Sequence, residues 1–84
     1  RAITRLVTQM QQVSRDLEGR AFIGPEDSLI LTSYIRARGN RERVAADLKT
    51  SVIDAEEQVG RAITAVTAAM PRLQQTLDAR GETV

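Results

Sequence analysis

Apolar side chains recur every three or four residues at both ends of this chain, and that spacing limits the fold more than any other feature. Ile3, Leu6, Met10, Val13 and Leu17 advance in steps of three and four, and so do Val59, Ile63, Val66, Met70, Leu73 and Leu77. Such steps draw one stripe along a helix, whereas a half-buried strand needs steps of two. Residues 1–20 and 61–80 also match at seven of twenty positions without gaps, sharing Arg-Ala-Ile-Thr, a Met, a Leu and the closing Arg. In that alignment the stripes coincide, from Ile3 with Ile63 to Leu17 with Leu77. Both ends are therefore predicted to be helices whose stripes form packing seams, with Met10 and Met70 as core filler.

Glycine and proline punctuate the middle. Gly24-Pro25 opens a predicted helix over roughly 25–38, with Pro25 at its first position and Glu26 and Asp27 near the positive end of its dipole. Leu29, Ile30, Leu31, Tyr34 and Ile35 give it a wide apolar arc, which predicts the most enclosed element. Gly39 suits the left-handed position after this helix, and Asn40 is a good N-cap for the next. That next helix carries Val44, Leu48, Val52, Ile53 and Ala55. Gly60 costs about 1 kcal/mol inside a helix, so it marks a break or is absorbed in one continuous rod over 41–80, which would reach ~60 Å. Pro71 predicts a kink or a restart, and Gly81 a stop.

The predicted fold is all-α, an up-and-down helical bundle with helices near 2–20, 26–38, 41–58 and 61–80. If the last two fuse, the alternative is a helical hairpin completed by dimerisation. Residues 1–84 read as a single domain, and a start at Arg1 without an initiator Met reads as a piece cut from a longer polypeptide. No run of ~18 apolar residues occurs.

Composition removes most catalytic chemistry. Cysteine and histidine are both absent, which excludes disulfides, Cys/His zinc sites, thiol nucleophiles and triads with an imidazole base. One Tyr, one Phe and no Trp leave little for base stacking. Asp54, Glu56 and Glu57 could face a hard cation, but a solvated acidic face explains them better. Lys49 is the single lysine and has no evident desolvating pocket to make it a nucleophile. An enzyme is not expected. No catalytic, cofactor-binding or metal residue and no cofactor are assigned, and Arg20 reads as a solvated or capping side chain.

Two resemblances are carried by short segments. Gly39-Asn40-Arg41 followed by Val44-Ala45-Ala46 and Leu48 resembles the first helix of the Fis-type helix-turn-helix. Arg36, Arg38, Arg41 and Arg43 would then meet phosphates. The likeness stops at Lys49, where that family has a glycine, and residues 51–63 set Asp54, Glu56 and Glu57 against Arg61, a poor charge for a DNA groove. The segment Leu17–Asp27, with Glu18, Arg20, Phe22, Gly24 and Pro25 and then Tyr34, resembles the turn of CHASE3-like or nitrate-sensing helical domains of bacterial receptors. It departs in the spacing of Glu18 to Arg20 and in Ala21.

The function this implies is a sensory or signal-transmitting helical-bundle domain of a bacterial membrane receptor of histidine kinase or chemoreceptor type. Residues 61–80 would shift against 1–20 and pass the movement to adjoining spans. Such a domain lies outside the cytoplasm and meets the membrane only through flanking spans. The alternatives are a helical protein–protein interaction or oligomerisation module, as in a chaperone or secretion component, which could be cytoplasmic, and a Fis-like DNA-binding protein. The expected partner is a second copy or another helical protein, any small-molecule ligand is unidentified, and nucleic acid is not expected.

Overall fold

The computed structural model describes residues 2–81 of the chain. It is an all-α bundle of four helices in the order α1 (Ala2–Val13), α2 (Pro25–Arg36), α3 (Arg41–Leu48) and α4 (Val52–Ala79), with no strand among the described residues. At 28 residues α4 is more than twice the length of any other helix. A rise of ~1.5 Å per residue makes it about 42 Å long, which equals the longest dimension of the molecule, 42 Å. α2 and α3 pack most extensively against this spine and α1 less so.

The first helix is shorter than the predicted 2–20. After Val13 the chain turns at Ser14, whose φ of +70° lies in the left-handed region. Residues 15–21 then fold into a tight loop in which Arg15 bridges Ala21. The Asp16 carboxylate receives the Glu18 and Arg20 amides at 2.9 Å. A side-chain acceptor that competes with the helical carbonyls ends helices in this way. Leu17 consequently leaves the predicted seam and is 62% exposed.

The break between the third and fourth helices falls at 49–51 rather than near Gly60. Lys49 takes the left-handed conformation (φ +57°) and closes α3 as a glycine would, with Thr50 N–H donating to Ala45 O at 3.0 Å and Lys49 N–H to Ala46 O. Ser51 then caps α4 by accepting the Asp54 amide at 3.1 Å. α4 continues through Gly60 and Pro71, so neither the break near 60 nor the rod over 41–80 occurs. Pro71 does not end the helix; it removes the amide that would have donated to Thr67 O. Asn40 caps α3 as predicted, accepting Arg43 N–H at 3.1 Å. The left-handed residue closing α2 is Arg38 (φ +53°), with Gly39 also positive.

Along α4 the buried residues are Ala55, Val59, Ala62, Val66, Ala69, Leu73, Thr76 and Leu77. This is a heptad seam, but its alternate positions are alanines spaced seven apart, Ala55, Ala62 and Ala69. The predicted stripe ran instead through Ile63, which is half-buried, and Met70, which is 47% exposed. Small side chains let neighbouring helices approach α4 closely, so burial follows the alanine line and turns Met70 outward. In α1 the fully buried residues are Val7 and Met10, with Ile3, Leu6 and Val13 packed at the margin. α2 is not the most enclosed element. Leu29, Ile30 and Leu31 span some 200° of helix, so Ile30 and Leu31 reach the core while Leu29 is 71% exposed.

Candidate functional site

The densest polar constellation lies where the 14–24 loop meets the C-terminal part of α4. Asp16 is its centre, with a side chain only 5% exposed. Its Oδ1 accepts the two loop amides, while Oδ2 accepts Arg72 Nη1 at 2.8 Å and Arg20 Nε at 3.2 Å. Arg20 also pairs with Glu18 at 3.1 Å. The guanidinium of Arg72 lies over the buried ring of Phe22, 5.4 Å from its centroid. The Arg20 backbone amide is the largest influence holding the Asp16 carboxyl well below the usual carboxylate range; desolvation opposes it, and Arg72 reinforces it. All four bonds to the carboxylate come from the chain itself, so the constellation is a clamp joining the end of α1 to α4. It leaves little open valence for a ligand.

A second feature is an apolar cleft of about 300 Å³ where α2, α3 and α4 meet. Tyr34, Val44, Ala55, Val59, Gly60 and Ile63 line it, together with the ion-paired Arg41 and Glu56. Gly60 has no close neighbour: a Cβ built on it meets nothing within 4 Å. No packing among the described residues requires a glycine there.

The residues singled out in the sequence are distributed as follows. Ile3, Leu6, Met10, Val13, Val59, Ile63, Val66, Leu73 and Leu77 lie in or against the core, whereas Leu17 and Met70 do not. The acidic trio is dispersed: Glu56 pairs with Arg41 at 3.0 Å, Glu57 with Arg61 at 3.3 Å, and Asp54 accepts Thr50 Oγ1 at 3.5 Å. Among the described residues no group of three acidic side chains is arranged to hold a metal ion. Lys49 is exposed. Of the arginines around α3, Arg41 is engaged by Glu56, and Arg36 stands in the last turn of α2, where it complements the helix dipole. Of the residues resembling the receptor-domain turn, Glu18 and Arg20 pair with each other, Phe22 packs under Arg72 and Tyr34 lines the cleft.

Asp16 and Arg72 escaped the sequence reading. The available signal was Asp16 with Gly19 three residues on, two turn-forming residue types whose pairing favours a side-chain-capped turn over a helix.

No helix among the described residues is long and apolar enough to cross a membrane. No family model matches the chain, and neither a curated protein nor a solved structure matches it significantly.

Proposed function

We propose that this chain is a helical interaction domain that works by packing against other helices, and that within this class it serves as a signal-transmitting domain of a bacterial membrane receptor. The observation that carries the first step is the apolar cleft at the junction of α2, α3 and α4. Its walls are mainly apolar side chains, and outside its lining Leu29 and Ile53 are exposed as well. A glycine in mid-helix is unfavourable by about 1 kcal/mol, and an external helix approaching the cleft accounts for its presence.

The receptor assignment is supported by the resemblance of residues 17–27 to the receptor-domain turn and by the Asp16–Arg72 clamp. The clamp ties the end of the first helix to the last, so a displacement of α4 would be conveyed to α1. Gly60→Gln tests the first step, since it places a side chain in the cleft while raising helix propensity by roughly 0.5 kcal/mol. The variant should melt at or above the wild-type temperature yet lose self-association in sedimentation equilibrium, or lose its helical partner. A wild-type chain that stays monomeric at millimolar concentration and binds no helical protein would overturn the proposal. For the receptor assignment, the parent gene should encode apolar spans of ~20 residues on both sides; their absence would end it.

A second reading, DNA binding by α3 and α4, is favoured by the tight 49–51 turn, in which Lys49 adopts the left-handed conformation that the family's glycine would supply. It is opposed by exposed Asp54, Glu56 and Glu57 at the start of α4. Salt-sensitive duplex binding lost in Arg43→Ala would support it.

A further inference from the structure

A recess of about 440 Å³ lies between α2 and α3, and one of its lining residues carries a buried hydroxyl without a hydrogen-bond partner among the described residues. Ser33 and Arg36 of α2 with Ala37, the residue just after it, face Arg43, Ala46 and Asp47 of α3, each set at i, i+3, i+4. The alanines leave space that larger side chains would fill. Ser33 is 5% exposed and its Oγ makes no hydrogen bond. Four helical threonines among the described residues satisfy their hydroxyls within their own helix. Thr8, Thr64, Thr67 and the equally buried Thr76 all donate to the carbonyl four residues back. Buried hydroxyls are rarely left unpaired in native proteins, so Ser33 calls for a group that the described residues do not provide. Arg36 and Arg43 are both exposed, and neither guanidinium is paired with a carboxylate of the described residues.

The geometry points to an oxyanion site for a phosphate group, either a phosphomonoester or inorganic phosphate. Arg36 and Arg43 supply charge-assisted hydrogen bonds from two helices, and the Ser33 hydroxyl, covered in this conformation, supplies a neutral donor once a ligand parts the side chains over it. Asp47 is the opposing charge in the lining. Two guanidiniums against one carboxylate favour a dianion over a monovalent ion, because the attraction grows with ligand charge. The recess is largely open to solvent, which leaves room for an organic substituent on the phosphate. The inference does not rest on the receptor assignment and involves a different surface from the α2–α3–α4 cleft.

The test is calorimetric titration of the chain at fixed ionic strength with inorganic phosphate and with phenyl phosphate, using chloride and nitrate as monovalent controls. At least one phosphate compound should bind with a millimolar or tighter dissociation constant, and the controls should not compete at equal ionic strength. Arg36→Gln and Arg43→Gln should each weaken binding by about tenfold or more, with circular dichroism unchanged. Asp47→Asn should tighten it. Ser33→Ala should weaken binding several-fold while raising the melting temperature, because it removes the unpaired hydroxyl; a purely structural Ser33 would change only the latter. Tighter binding of phenyl phosphate identifies a phosphorylated small molecule, and equal or weaker binding identifies the free ion. The site is overturned if neither compound binds, or if binding is the same in both arginine variants. It is also overturned if duplex DNA binds through these arginines while neither phosphate compound does.

Discussion

Asp16 gathers more interactions than any other side chain described, and its effect on stability has a definite sign. Its carboxyl is held below the ordinary value in the folded state, chiefly by the Arg20 amide and with help from Arg72. An unfolded Asp titrates near ~3.9. The contribution is therefore fully present above that pH and is lost as the pH falls toward the depressed folded value. Asp16→Asn should lower the urea midpoint at pH 7, and the gap from wild type should narrow below about pH 4. A gap independent of pH would show that the side chain contributes shape and not charge. Lys49 has the opposite character. A non-glycine residue in the left-handed region is strained by ~1–2 kcal/mol, part of which glycine forfeits through its looser unfolded state. Lys49→Gly should raise stability by roughly 0.5–1 kcal/mol, measured by thermal unfolding.

At the scale of elements, the alanine seam of α4 decides how the bundle closes. Ala69 is 3% exposed and Met70 47%, so the smaller neighbour is the more critical one. Ala69→Leu should destabilise by about 1–3 kcal/mol through overpacking, whereas Met70→Ala should change stability by less than about 1 kcal/mol. Equal effects in denaturant titration would mean that the seam runs where the large side chains alone placed it. The helical class, the cap at Asn40, the start at Pro25 and the stop before Gly81 were legible because each depends on a local signal. The path of the α4 seam was not, because a count of large apolar residues treats alanine as neutral and so passes over Ala62 and Ala69. The end of α1 was missed for a related reason. The periodicity continues to Leu17, but the Asp16 side chain offers the backbone a better arrangement than another helical turn. The clamp itself joins residues 56 positions apart, a separation at which periodicity carries no information.

The molecule as a whole is a long spine with three unequal attachments, and its stability should be unequal in the same way. The accessible surface is 5690 Å², against about 5,000 Å² for a compact chain of this mass, in keeping with the elongated 42 × 22 × 16 Å outline. α2 and α3 meet α4 around Ala55 to Ile63, while α1 packs against it less than either. α1 is fastened by Val7, Met10 and the loop that Asp16 and Arg72 hold down. Regions with few buried contacts open before the rest of a protein unfolds. Hydrogen exchange should therefore find the amides of α1 opening at lower free energy than those of α4 between Val59 and Leu73. Asp16→Asn should lower protection in residues 2–22 further while leaving α3 and the 59–73 stretch close to wild type. If the substitution instead reduces protection evenly along the chain, α1 belongs to the same cooperative unit as the spine, and the clamp cannot work as a local coupling between the first helix and the last.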